Sequence, residues 1–233
     1  MLQLIVAGIA GRMGQRIQAL SMDDPTLKVV YGLESPTHKM TVPGVPVGAD
    51  TTQIQKADVV IDFSLAEATI ALLPEVVKYR KAIVIGTTGF SPEQEAHIAQ
   101  AAKDIPIVVS FNMSLGVNVF FKVAQSVAKA LPTYAVHIQE THHTQKKDAP
   151  SGTALQVGRL IEKVSKQKVT YESFRKGEVV GDHRIIFKGP SDQFELFHHA
   201  ESRDIFASGA LQAAIWVADK KPGLYSMQDV LGL

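Results

Sequence analysis

Apolar residues in the first half of the chain gather in short unbroken runs. Residues 2–7, 28–33, 57–62, 82–85 and 105–109 are five such runs, each of strand length. Helical segments such as 66–79 and 91–103 separate them. Continuous apolar strands spaced by helices predict a parallel sheet covered on both faces, a doubly wound α/β unit of Rossmann type. The slackest connection is 36–50, which carries three prolines and two glycines.

The texture changes near residue 114. A helix over 116–131 leads to a strand at 134–139, then to a polar stretch from Glu140 to Thr153. A helix over 153–165 follows, with strand-like segments at 168–174, 183–188 and 193–199. Runs of strands after an alternating unit predict a second α+β domain with an open mixed sheet. The tail returns to a helix over 207–218 and ends in Pro222-Gly-Leu-Tyr225, and is expected to pack back on the first domain. The expected division is therefore 1–113 plus 205–233 for one domain and 114–204 for the other.

Composition narrows the function classes. With 45% hydrophobic and 20% charged residues the chain is an ordinary globular one. Lys+Arg number 24 against 23 Asp+Glu, so no global field recruits nucleic acid or an anionic membrane. The absence of cysteine excludes thiolate catalysis and Cys-based metal sites. No run approaches a membrane span, and no signal peptide is read at the N-terminus. A cytoplasmic protein without membrane or nucleic-acid partners is the expectation.

Two places carry candidate chemistry. The first is Gly8-Ile-Ala-Gly11-Arg-Met-Gly14, a G-x-x-G-x-x-G turn between the first strand and a helix. Glycines there let backbone N–H groups and a helix N-terminus approach a pyrophosphate. Glycines alone also fit a tight turn that binds nothing. The N-terminal position, the alternating strands and helices, and Glu34 in the ribose-binding position at the end of the second strand together tilt the reading toward a dinucleotide. The second place is Glu-Thr-His-His-Thr-Gln-Lys-Lys-Asp-Ala-Pro-Ser-Gly-Thr over 140–153. Its turn offers a helix N-terminus and N–H donors for a carboxylate or phosphate, and its histidines and lysines offer transferable protons. A basic surface loop capped by Ser151 or Thr153 fits the same composition. His198-His199 form a second histidine pair, and no metal is expected at either.

Together Gly8–Gly14, Gly86-Thr-Thr-Gly-Phe90, Glu140-Thr-His-His143, Lys146–Thr153, Ser208-Gly-Ala-Leu211 and Pro222–Tyr225 resemble the dihydrodipicolinate (4-hydroxy-tetrahydrodipicolinate) reductases of the bacterial and plant lysine pathway. The resemblance runs in order along nearly the whole chain, and the 140–153 block is its most specific part. It implies a Rossmann-type domain completed by the tail and a central domain that binds substrate and builds a homotetramer. It implies His142 as proton donor and acceptor, Lys146 as proton donor, His143 as a substrate ligand, and Gly152 and Thr153 as the clamp on a substrate carboxylate. Cofactor contacts would come from Gly8, Ile9, Ala10, Gly11, Arg12 and Met13, from Glu34, from Gly86, Thr87 and Thr88, and from Ser110, Phe111, Asn112 and Met113. The reaction implied is hydride transfer from NAD(P)H to the dehydrated form of a cyclic 2,6-dicarboxylate, with protonation of the neighbouring ring carbon.

Two features depart from the family. The 36–50 loop looks short, and Ser35 stands where many members place an arginine suited to a 2′-phosphate. NADH or dual use is therefore expected over strict NADPH dependence, with His38 or Lys39 as possible point charges. Two rivals fit the first half alone: an aspartate- or imine-acting dehydrogenase, and an NAD(H)-sensing regulator without catalysis.

Overall fold

The structure, a computed structural model, describes residues 1–38 and 41–233. Two compact units divide the chain: Met1–Ser114 with Phe206–Gly232, and Leu115–Ile205.

In the first unit the apolar runs become β1 (Leu2–Ala7), β2 (Leu27–Leu33), β4 (Val59–Asp62), β5 (Ala82–Ile85) and β6 (Pro106–Val109). Two further strands complete the sheet, β3 (Val47–Gly48) and β11 (Gly223–Tyr225). All pair in parallel, in the order β11-β6-β5-β4-β1-β2-β3. The inner strands are closed to solvent on both faces: Leu4, Ile5, Val6, Val59, Val60, Ile61, Ile83, Val84 and Ile85 are all fully buried. That is why their sequences run apolar without alternation. Helices α1 (Arg12–Met22), α2 (Ala66–Lys78) and α3 (Pro92–Ala101) are the crossovers. The sheet order reverses direction at β1, so the carboxyl ends of β1 and β4 flank a topological switch point, where α/β sheets bind ligands.

The tail belongs to this unit. Helix α6 (Asp204–Val217) buries Ala207, Gly209, Ala210, Ala213 and Ala214, and β11 adds to the edge beside β6. Small residues here permit a close backbone approach. A Cβ at Gly209 would lie 1.7 Å from the Met113 carbonyl oxygen, backbone against backbone. Gly209→Ala is therefore expected to cost about 3 kcal/mol or more, at the upper end for overpacking, read as a lowered urea midpoint. A loss below about 0.5 kcal/mol would contradict this contact.

The second unit folds β7 (Ala135–His142), β8 (Val169–Arg175), β9 (Gly181–Lys188) and β10 (Gln193–Ala200) into one mixed sheet, ordered β10-β9-β7-β8. β7 and β8 are parallel, joined through α5 (Gly152–Val164), and the other pairs are antiparallel. Helix α4 (Leu115–Ala130) and α5 cover one face. Phe120, Phe121, Ala124, Val157 and Ile161 pack there on Val136, Ile138, Ile185 and Phe187. One expectation is corrected. The strand predicted to stop at 139 continues to His142, because its inward alternation Val136, Ile138, Glu140, His142 is unbroken. The covered face thus begins apolar and ends charged.

Candidate active site

The first unit supplies a candidate cofactor cleft. β1 ends at Gly8, whose φ of +73° is left-handed and whose Cβ would meet the Phe63 carbonyl oxygen at 2.5 Å. At Gly14 a Cβ would fall 2.3 Å from the Gly8 carbonyl oxygen. Both glycines are therefore required by the turn itself. Gly11 caps α1 with no side-chain bond to its first turn, which leaves the helix N-terminus open to an anion. A cleft of about 740 Å³ opens beside it, walled by Leu33, Pro36, Ala49, Leu65, Ala68 and Leu72, with Gly8, Ala10, Gly11 and Glu34 at its polar end.

Glu34 accepts from the Ala10 N–H (3.0 Å) and the Ser35 N–H (2.9 Å), and His38 Nδ1 lies 3.3 Å from it. A carboxylate has about four acceptor sites, so capacity remains for ribose hydroxyls. An apolar slot for a flat ring, a carboxylate for the ribose and an uncapped helix end fit the adenosine and pyrophosphate of a dinucleotide. Lys39 lies outside the described residues.

The other predicted cofactor residues occupy different settings. Arg12 and Thr88 are exposed, and Met13 is half-buried in the first turn of α1. The Ile9 side chain is fully buried and fills the space beside Gly32, so its backbone alone faces the turn. Gly86 lets the Phe63 ring lie against it, since a Cβ would meet that ring at 2.2 Å. Thr87 is buried and turned inward: its hydroxyl accepts from the Ser64 N–H (3.0 Å) and approaches Asp62 at 3.3 Å. Asp62, which the sequence did not single out, is fully buried. Burial pushes its carboxyl up, opposed by bonds from Ser64, Thr69 and Thr87. In the loop after β6, the Ser110 hydroxyl donates to the Asn112 carbonyl (2.8 Å) and Asn112 accepts from the Ser114 N–H (3.0 Å). Phe111 is exposed there and Met113 buried.

The second unit gathers the 140–153 block at the charged end of its sheet. Glu140, 1% exposed, is the centre of that cluster. It sits opposite His183 on β9 and Ser173 on β8, and His142 sits opposite Arg175. Arg175 grips Glu140 bidentately, at 2.9 and 3.0 Å. His142 Nδ1 bonds to Glu140 Oε2, and the Ser151 N–H donates to Oε1 at 3.2 Å. Burial works to raise the Glu140 carboxyl, but the bonds from Arg175, Ser173 and His142 outweigh it and hold it below the usual carboxylate range. Burial, with Lys146 and Arg175 nearby, pushes His142 down against the pull of Glu140, so its neutral form is favoured.

Ser151 is the N-cap of α5, its hydroxyl oxygen accepting from the Ala154 N–H at 3.2 Å. The same oxygen lies 3.1 Å from His183 Nε2. Burial, then the charge of His142, pushes His183 down to about 3. Gly152 opens α5 exposed, with open space where a Cβ would stand. Thr153, half-buried, follows it. Lys146 Nζ pairs with Asp148 at 2.8 Å, and its backbone is fixed by bonds to His143 and Arg175. His143 is half-buried just beyond β7. One sheet end thus places a buried neutral imidazole, a lysine ammonium and a positive helix end together. That arrangement is chemically suited to hold a carboxylate and move a proton.

His142, Lys146, Gly152 and the neighbouring His143 and Thr153 are the candidates that the sequence names. Glu140 is quoted there without a role, although the inward alternation along β7 carries a signal for it, and Arg175 and His183 are not singled out. Among the described residues no group of three or more His, Asp or Glu is placed to hold a metal, and no helix is long and apolar enough to cross a membrane.

Comparison with known proteins adds independent findings. Models of the dihydrodipicolinate reductase N-terminus and C-terminus match residues 2–113 and 116–231. The 4-hydroxy-tetrahydrodipicolinate reductases of Geobacter metallireducens and Methanocorpusculum labreanum are each 39% identical, the whole of this chain aligning with the whole of theirs. The first alignment extends over 266 positions, more than the 233 residues here. A solved dipicolinate-bound dihydrodipicolinate reductase from Paenisporosarcina sp. TG-14 has a TM-score of 0.87 at 24% identity, covering 98% of both chains. An aspartate dehydrogenase from Thermotoga maritima shares the fold more distantly, with a TM-score of 0.57 at 12% identity over 91% of this chain and 95% of that one.

Proposed function

The chain belongs to the dihydrodipicolinate reductase family, and from that premise we propose which of its residues carry the reaction and which cofactor they take. Its activity is the NAD(P)H-dependent reduction of 4-hydroxy-tetrahydrodipicolinate to tetrahydrodipicolinate with loss of water, in lysine and diaminopimelate biosynthesis. An aspartate-acting enzyme shares only the fold, and a sensor leaves the 140–153 cluster without a purpose.

The substrate is a dianion. Gly152 and Thr153, at the positive end of α5, hold one carboxylate, with His143 beside them. Lys146 neutralises charge and donates a proton to the ring carbon next to the one that receives hydride. His142, buried and neutral, exchanges the proton through Nε2. The nicotinamide, when bound, supplies the hydride. Glu34, the open N-terminus of α1 and the backbone of Gly8–Met13 hold the rest of that cofactor, while Gly86–Thr88 and Ser110–Met113 contribute their loop ends. The observation that carries the reading is the convergence of His142, Lys146 and the α5 N-terminus at one end of one sheet.

The clamp has a direct test. Pyridine-2,6-dicarboxylate is expected to compete with substrate, and pyridine-2-carboxylate to inhibit at least tenfold less, because donors built for the second carboxylate stay unpaired. Equal inhibition by the two, measured in one steady-state series, would remove the clamp.

Cofactor choice follows from Glu34 and Ser35. A 2′-phosphate beside Glu34 meets like charge, and Ser35 offers no bidentate fork. His38, largely exposed and 3.3 Å from Glu34, is the near cation when protonated. NADH or dual use is therefore expected. Ser35→Arg should raise kcat/KM for NADPH about tenfold, or ~1.4 kcal/mol, and leave NADH nearly unchanged. The comparison belongs at one salt concentration, because salt screens the phosphate term. A wild-type preference for NADPH above about a hundredfold would overturn this reading.

The proposal includes a homotetramer in the cytoplasm. The face of the second unit's sheet opposite α4 and α5 has no covering element of that unit, and Phe174 and Phe197 stand exposed on it at 43% and 56%. Such a face suits burial against a second copy. A chain without cysteine also suits a reducing compartment.

A further inference from the structure

We infer that Glu140 is a positioning residue that sets which nitrogen of His142 carries the proton and, through the same carboxylate, fixes the α5 N-terminus that clamps substrate. The inference rests on the proposed roles of His142 and of Gly152 and Thr153. Its ground is the division of labour between two oxygens. Oε2 takes the bond from His142 Nδ1, and Oε1 takes the Ser151 N–H at 3.2 Å. Arg175 grips both oxygens at once.

A carboxylate only accepts. Arg175 keeps Glu140 ionised, so Nδ1 must bear the hydrogen, and Nε2 of neutral His142 presents its lone pair. Nε2 lies beside Gly181, where a Cβ would sit 3.0 Å away, so a glycine there gives the reacting nitrogen room. The charged and titratable groups facing His142 are Glu140 on its own strand, Arg175 on β8, His183 on β9 at 5.2 Å between rings, and Lys146 on the following loop. Three of these are cationic or can become so. Glu140 is the one anion that can support a proton on the imidazole during turnover. Because Ser151 both caps α5 and rests on Glu140, a shift of this carboxylate moves the proton carrier and the clamp together.

The first test needs no mutation: in wild-type protein with ¹⁵N-labelled histidine, neutral His142 is expected as the Nδ1–H tautomer, and the Nε2–H tautomer would overturn the inference. The second is Glu140→Gln, whose amide NH₂ can only donate. It is expected to lower kcat by about a hundredfold or more, to displace the pH profile of kcat, and to weaken pyridine-2,6-dicarboxylate binding while NADH binding stays unchanged. Glu140→Asp, which keeps the charge on a shorter stem, should recover part of kcat. His142→Gln separates the levels. If it is crippled while Glu140→Gln keeps the wild-type kcat and pH profile, Glu140 has no positioning role. If both keep wild-type kcat, the role of His142 itself fails. Should Glu140→Gln not fold, the wild-type tautomer decides.

Discussion

Lys146→Ala should lower kcat by 10²–10⁴-fold, about 3–5 kcal/mol of barrier, and leave NADH affinity within about twofold. The backbone at this position is pinned: the Lys146 N–H donates to the His143 carbonyl at 3.1 Å, and Arg175 Nε donates to the Lys146 carbonyl at 3.2 Å. Truncating the side chain therefore leaves the loop in place. The ammonium itself is held by Asp148, a carboxylate 59% exposed. With the lysine side chain 21% exposed, the pair is partly screened by solvent, and a dianionic substrate is expected to compete with Asp148 for the amine. Lys146→Arg separates charge from proton donation. It should restore much of the substrate affinity and little of kcat, because a guanidinium does not release its proton. A loss below about tenfold in Lys146→Ala would count against the assignment.

A second large effect concerns stability against pH. His183 is buried and titrates near 3 in the folded chain, against an ordinary value of 6.5. The unfolded chain thus takes up a proton that the folded chain refuses. Its contribution is fully present above about pH 6.5 and is lost as pH falls toward 3, at about 1.4 kcal/mol per pH unit and at most about 5 kcal/mol in all. His142, also pushed down, acts with the same sign. Glu140, held low mainly by Arg175 against burial, joins them below about pH 4.5. Asp62 opposes: burial raises its carboxyl, so its ionisation weakens the fold as pH rises. His183→Gln removes one proton from this balance. Urea unfolding between pH 7 and 4 should show a slope shallower by about 1.4 kcal/mol per unit in the variant. Equal slopes would mean that His183 is not held neutral.

The sequence disclosed the first unit well because its physics is local. Strands closed on both faces write unbroken apolar runs, and the turn after β1 needs glycine at Gly8 and Gly14 whatever it binds. β3 and β11 escaped because two or three residues carry no period, and each exists by pairing with a neighbour. The α5 start was legible from Pro150-Ser-Gly152, a capping pattern. The middle of the site was hidden. Glu140 reads as the first polar residue after a strand, yet it is the third inward position of β7. Arg175 reaches it from 35 residues away through strand register, and His183 from 43, so no window along the chain contains them together. Thr87 carries a contact that no local pattern shows. Its motif points to a cofactor, while its hydroxyl is turned inward toward Asp62.

The central claim is that the cluster at the charged end of the second unit's sheet reduces a cyclic dicarboxylate with a nicotinamide cofactor. Absorbance at 340 nm tests it in a single cuvette holding the purified protein, NADH, and the condensation product of pyruvate and aspartate semialdehyde. The expected result is steady loss of absorbance that begins only when the condensation product is present and stops with excess pyridine-2,6-dicarboxylate. Bound NADH that is never consumed, or consumption that proceeds equally well with aspartate or a simple imine and ignores the dicarboxylate, would contradict it.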